Sequence, residues 1–262
     1  MTKNSLIGPV NGSRFPVAIL VSMALVSCTI ESESDTLPPS LTPTPVPEDT
    51  TTAPAGQAPD SVRYLALGDS YTIGESVPDA GDWPRQLVDS LMLRLPETHF
   101  EPPRIIATTG WTTSNLNYAM DAAQVDTSQF DLVSLLIGVN NQYQGLSLEA
   151  YEVEFSQLLD RAVQLAGGQS DRVFVVSIPD YGYTPFGQSN QATISQELAQ
   201  FNAACSTITV NAGIAHHNIT DISQQWPTAQ GWVAPDGLHP SGAQYAAWVA
   251  SFAGQVEDQL RD

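Results

Sequence analysis

YLALGDSYTIG, residues 64–74, is an apolar run that stops at Gly68 and hands over to Asp69 and Ser70. A strand that ends in Gly-Asp-Ser predicts a serine at the carboxyl edge of a sheet, ahead of a helix. In open α/β sheets the reactive crevice lies outside the carboxyl ends of the strands, and the following helix offers unpaired N–H groups to a developing negative charge. A serine hydroxyl is inert near neutral pH until a base takes its proton, so the rest of the chain has to supply one.

Working outward, the chain from Ser61 onward alternates strand-like and helix-like segments. Strands are predicted at 62–67, 104–107, 131–137, 172–178 and 214–219, and helices at 84–95, 114–123, 148–166, 192–210 and 241–259. Near-continuous apolar strands in a βαβα rhythm imply a parallel sheet covered on both faces, hence an α/β fold. No internal repeat or second change of composition follows, so 60–262 reads as one domain.

Upstream the texture differs. Residues 1–28 carry Lys3 and Arg14, then the apolar stretch FPVAILVSMALVS, and end in Leu25-Val26-Ser27-Cys28. The stretch is short for a membrane span and has the flanks of a secretory signal. Residues 29–59 are rich in Thr, Ser, Pro, Glu and Asp and cannot bury enough apolar surface to offset their ordering entropy. They read as a disordered tether, long enough to hold a domain tens of ångströms from its anchor.

The 262 residues are 42% hydrophobic, enough for a real core, but carry 28 acidic residues against 9 basic ones, and no lysine follows Lys3. A formal charge of −19 repels polyanions, which sets nucleic acid aside as a partner. The acidity serves solubility or life in a salty medium that screens self-repulsion.

Four features fall just past predicted strand ends. Gly68-Asp69-Ser70 is not a phosphate loop, because Gly68 and Gly74 are one residue too far apart and Glu75 stands where a lysine belongs. In ATTGWTTSNL, Gly110 is either a turn glycine or a place where bare backbone meets a substrate, and Thr112, Thr113 and Ser114 offer helix caps. In LLIGVNNQYQG, Asn140 is either a turn asparagine or a neutral donor suited to an oxyanion. In APDGLHPSGAQYAAW, Asp236 and His239 lie three apart in a turn that lets the carboxylate reach the imidazole. His99, in a Pro-rich polar loop, and His216 and His217, at a strand edge, have no carboxylate so placed. Asp69 reads as a cap or brace. Metal-ligand spacing is absent, so neither metal nor cofactor is expected.

Gly68-Asp69-Ser70, Gly110, Gly138-x-Asn140 and Asp236-x-x-His239, in that order, resemble the four blocks of the SGNH (GDSL-type) hydrolases, supported by Thr72, Gly74 and Trp83-Pro84. The resemblance implies a three-layer α/β/α sandwich around about five parallel strands. It implies Ser70 as nucleophile, His239 as general base and then acid, and Asp236 as its orienting partner. It also implies an oxyanion hole of the Ser70 and Gly110 N–H groups and the Asn140 amide. No G-x-S-x-G surrounds Ser70, which argues separately against the sharp-elbow α/β-hydrolase.

Leu25-Val26-Ser27-Cys28 likewise resembles a bacterial lipobox, implying a lipidated Cys28, export and anchoring at the cell envelope. Cys205 is then a lone apolar filler. Substrate contacts are expected from Trp111, Asn141, Tyr143, Tyr183 and Trp232, with Gln142, Tyr181 and Phe186 nearby and 179–190 as a covering loop. The leading expectation is a monomeric hydrolase of small acyl esters, acetyl groups on glycans among them. The alternatives are a lipolytic enzyme (lysophospholipase, lipase or thioesterase) and a tethered binding protein with an inactive hydrolase fold.

Overall fold

The computed structural model describes residues 56–125 and 130–261. The signal segment ending at Cys28 and the tether up to residue 55 lie outside the described residues. At the tether's far end Ala58 already packs on the core, and the Pro59 carbonyl accepts the Thr98 hydroxyl at 2.8 Å.

The strands are β1 (Ser61–Val62), β2 (Tyr64–Gly68), β3 (His99–Phe100), β4 (Arg104–Ala107), β5 (Leu132–Leu136), β6 (Val173–Val176) and β7 (Ala215–His217). The helices are α1 (Ser70–Ile73), α2 (Trp83–Arg94), α3 (Thr113–Ala122), α4 (Val139–Tyr143), α5 (Leu148–Leu165), α6 (Gln191–Asn211), α7 (Thr220–Ser223) and α8 (Gly242–Arg261). Five strands form one parallel sheet in the order β4-β2-β5-β6-β7, flanked by helices. The five long segments expected to be helical are helical, with ends shifted by one or two residues. His99 is not in a loop: β3 pairs with β1 in a small separate parallel ladder. Two-residue strands carry no periodicity to read.

The three inner strands β2, β5 and β6 are buried along their whole length, while β4 and β7 at the edges are partly exposed. That follows from their composition, since only continuous apolar runs tolerate helices on both faces. The one hydroxyl placed inside β5, Ser134, is satisfied by the Tyr64 hydroxyl at 2.7 Å. Helices α2 and α8 pack together, as do α3 with α5 and α5 with α6. Between the sheet and the α2–α8 pair sits Phe174, fully buried. Its ring lies 6.3 Å from those of Tyr64 and Trp83, 5.9 Å from Phe252 and 5.5 Å from His217.

Register then fixes where chemistry can occur. Gly68 stands opposite both Ala107 and Leu136, so β2, β4 and β5 end on one line. The first strand of the sheet in sequence, β2, is flanked by the second, β4, and the third, β5, which makes this edge the topological switch point where α/β sheets open a crevice.

Phe174→Ala is expected to cost about 3–5 kcal/mol through lost burial and a residual cavity. In urea the midpoint should fall while the slope is retained.

Candidate active site

Ser70 is the first residue of α1, immediately past β2. Asp69 caps the turn, its Oδ1 accepting the Tyr71 N–H at 3.0 Å, and Gly74 closes it in the left-handed conformation. Position one of a helix leaves its N–H without an intrahelical acceptor, so the Ser70 amide is available beside its own hydroxyl. The turn is tight and buried. Asp69 is fully buried, and neither its Oδ2 nor the Thr72 hydroxyl has a hydrogen-bond partner among the described residues. Burial pushes the Asp69 carboxyl up to about 7, against the hydrogen bonds from the Tyr71 N–H and its own.

Past β4, Gly110 adopts φ +84° with open space where a Cβ would stand, a conformation that costs any L side chain strain. Its loop runs into α3 through a capping box: Thr112 accepts the Asn115 N–H while Asn115 accepts that of Thr112 at 3.0 Å. Past β5, Gly138 takes φ +130°, and a Cβ there would fall 2.6 Å from the Tyr151 ring. This glycine swings the chain into α4, where the Asn140 amide donates to the Trp111 carbonyl at 3.0 Å. An amide has two N–H groups, so one bond orients Asn140 and leaves a second donor.

Asn141 ties the two loops together. Its Oδ1 accepts the Thr113 N–H at 3.1 Å and its amide donates to the Thr113 hydroxyl at 2.7 Å, which in turn bonds Glu154. It is thus a buried brace and does not face the cavity, contrary to its expectation as a substrate contact.

The turn from Val233 to Pro240 brings in the remaining groups. Ala234 donates to the His239 carbonyl at 2.7 Å, closing the turn. Asp236 Oδ1 accepts the N–H groups of Leu238 and His239 at 2.9 and 3.0 Å, and its Oδ2 meets His239 Nδ1 at 2.6 Å. A second donor on that Oδ2, the Ser76 hydroxyl at 2.7 Å, was not legible in the sequence. Ser76 is 160 positions from its partner and sits at φ +67°. Burial alone would raise the Asp236 carboxyl, but the hydrogen bonds from His239, Leu238 and Ser76 hold it well below the usual carboxylate range. An ionised Asp236 can only accept, so Nδ1–H donates to it, which assigns the tautomer with Nε2 as acceptor.

One cavity of about 230 Å³ gathers these groups. Ser70, Gly110, Asn140 and His239 line it together with Tyr71, Thr109, Val139, Tyr143, Tyr181, Phe186 and Leu238. The His239 and Tyr71 rings make a T-shaped contact with centroids 5.7 Å apart, and Tyr143, Tyr181 and Phe186 form a triangle with centroids 6.2–6.3 Å apart. Of the five expected substrate contacts only Tyr143 is among the lining residues. Trp111 packs on the core, and Trp232 turns its Nε1 to the Ile222 carbonyl at 2.7 Å. Tyr183 belongs to a 3-10 turn braced by buried Asp180 and is not part of the lining. Loop aromatics cannot be sorted by sequence, since turn geometry decides which side faces the cavity.

His216 and His217 stand on edge strand β7, where burial lowers the His217 imidazole to about 4 and holds it neutral. Cys205 is buried in α6, its thiol pushed up to about 12 by desolvation, which fits an apolar filler.

Asp69 has a testable consequence for stability. Its folded value lies above the ordinary 3.8, so its contribution is complete below about 4 and is lost as pH rises to about 7, a change of order 2–4 kcal/mol. In Asp69→Asn, which preserves the cap, denaturant titrations at pH 4.5 and 7.5 should show this fall abolished.

The whole constellation can be set beside known proteins. No curated protein matches the chain. Among solved structures it resembles the psychrotrophic esterase EstA from a Pseudoalteromonas species, with TM-score 0.58 and 15% identity over 78% of this chain and 100% of that one. It also resembles the acetylxylan esterase Axe2 from Geobacillus stearothermophilus, with TM-score 0.56 and 19% identity over 74% and 94%. A member of the lipolytic G-D-S-L family from Veillonella parvula gives TM-score 0.55 and 15% identity over 72% and 95%. Identities this low show the shared fold alone. The model of the GDSL-like lipase/acylhydrolase family matches residues 66–247, from inside the first central strand to the last helix, and the chain belongs to that family of ester hydrolases.

Proposed function

We propose that this ester hydrolase is serine-dependent, works through an acyl-enzyme, and acts on small acyl esters of the acetyl type, those carried by carbohydrate included. The observation that carries the reading is the single small cavity lined at once by Ser70, Gly110, Asn140 and an Asp236-held His239. His239 Nε2 takes the Ser70 proton as the serine oxygen attacks the ester carbonyl. The oxyanion that forms is met by the Ser70 and Gly110 N–H groups and the second Asn140 N–H. The alcohol leaves with the proton from His239. Water, deprotonated by the same nitrogen, then attacks the acyl-serine and releases the acid.

Cavity size favours the short-chain reading. About 230 Å³ falls below the roughly 300–1,000 Å³ of pockets that enclose drug-sized ligands. The lipolytic reading draws its support from the apolar wall of Val139, Tyr181, Phe186 and Leu238. We further propose, from the lipobox resemblance alone, that the domain is exported and held at a bacterial envelope through lipidated Cys28.

Nitrophenyl esters of increasing acyl length, with Ser70→Ala as the blank, test the reading. Turnover should be highest for acetate to butyrate and fall steeply beyond; a maximum at long chains supports the lipolytic alternative, and activity in Ser70→Ala equal to wild type overturns the serine mechanism. Asn140→Ala should lose about 10²–10³ in kcat while unfolding at an unchanged midpoint. For the anchor, Cys28→Ser expressed in a bacterium should move the protein from the membrane fraction to the soluble exported fraction, and an unchanged distribution contradicts lipidation.

A further inference from the structure

The cavity presents no cation to a substrate. Among the described residues its lining contains neither lysine nor arginine, and its polar groups are hydroxyls, amides and one imidazole. The described part of the chain holds seven arginines, and their placement follows the topology. Arg63, Arg104 and Arg172 stand at the amino ends of β2, β4 and β6, the opposite end of the sheet from Ser70. Arg94 and Arg261 lie at the carboxyl ends of α2 and α8, and Arg161 in the last turns of α5, helices that run back toward that same end. Each has a local partner: Asp131 for Arg63, Glu257 for Arg94 and Arg261, Asp121 for Arg161, and backbone carbonyls for Arg104 and Arg172. The seventh, Arg85, is the exception in placement: it stands in the first turn of α2, at the end of the sheet that carries Ser70, and is bound there to the buried Asp82 carboxylate.

Carboxylates lie at both ends of the sheet, and two of them stand beside the site. Asp236 borders the cavity through His239, and Glu75 accepts the hydroxyl of the lining residue Thr109 at 2.5 Å. Around them the chain as a whole carries −19. A phosphate or sulfonate brought into this cavity meets a largely apolar wall backed by Asp236 behind His239 and Glu75 behind Thr109, and among the described lining residues it finds no lysine or arginine to pair with. Field lines focus in such a cleft and repel anions before contact.

Resting on the hydrolase reading above, we propose that the site is a charge filter, selecting esters whose acyl and alcohol parts are neutral or cationic near the reacting carbonyl. The substrate class is an acylated uncharged alcohol, a neutral saccharide foremost. Esters that carry an anionic group beside the reacting carbonyl are rejected. The filter acts mainly on kcat/KM, because repulsion opposes approach and binding alike.

Three acetate esters of matched shape test this with the full chain: phenyl acetate, anionic 4-acetoxybenzenesulfonate and cationic 3-acetoxy-N,N,N-trimethylanilinium. Each kcat/KM is divided by the ester's own hydroxide-catalysed rate, which removes differences in leaving-group reactivity. At about 0.02 M salt the sulfonate should be disfavoured on the order of 10–100-fold against phenyl acetate, and the gap should narrow several-fold at about 0.5 M. The cationic ester should equal or exceed the neutral one. Glu75→Gln should narrow the neutral-to-anionic ratio and leave it unchanged under high salt. A sulfonate turned over as well as phenyl acetate at low salt overturns the filter while leaving the hydrolase standing. Equal turnover of all three by Ser70→Ala and the native chain overturns the hydrolase reading itself.

Discussion

Parallel register is the constraint on which the molecule depends. Because Gly68, Ala107 and Leu136 lie side by side, three strands release their chains at one edge, and residues 70, 110 and 140 meet there although they are far apart in sequence. The inner strands are buried on both faces, so a slip of one residue would send a whole apolar set out of register with the helices above and below. Precision at the edge is therefore inherited from the core, and the loops need only short braces. Asp69, the Thr112–Asn115 pair, Asn141 and Asp236 supply them through side-chain bonds to backbone.

Legibility in the sequence followed the physics of each element. β2, β5 and β6 could be read because buried parallel strands must be apolar without interruption, and the long helices because their amphipathic period persists for many turns. The helix after Gly-Asp-Ser was legible from its turn residues, but the one-turn helices α4 and α7 were not, since local turn geometry sets them and periodicity does not. Asp236 and His239 were legible as a pair because both occupy one turn, so sequence spacing and spatial spacing coincide. Ser76 was not, because its bond to Asp236 exists only after the sheet has brought the two loops together. The cavity wall was misread for a related reason. Asn141, Trp111 and Trp232 have the composition of a binding site, yet each spends its polar or apolar capacity inward, on Thr113, the core and Ile222.

Strand direction also orders the arginines. Six of the seven in the described residues stand toward the amino ends of strands or the carboxyl ends of helices, where those on helices complement the helix dipole, while Arg85 in the first turn of α2 is the exception and is held by Asp82. One acidic group near the edge that carries the site, Asp69, is buried directly before Ser70, with one oxygen capping α1 and the other without a hydrogen-bond partner among the described residues.

The most direct test of the central claim, a serine made reactive by His239 in the presence of the oxyanion donors, is covalent trapping. The full chain is treated with a small alkyl fluorophosphonate, weighed intact and mapped by peptide mass. The account predicts one adduct per chain, on Ser70, formed at least 10²-fold more slowly in His239→Ala, on the scale by which a general base contributes. Labelling at another residue, or equal rates with and without the imidazole, would contradict it.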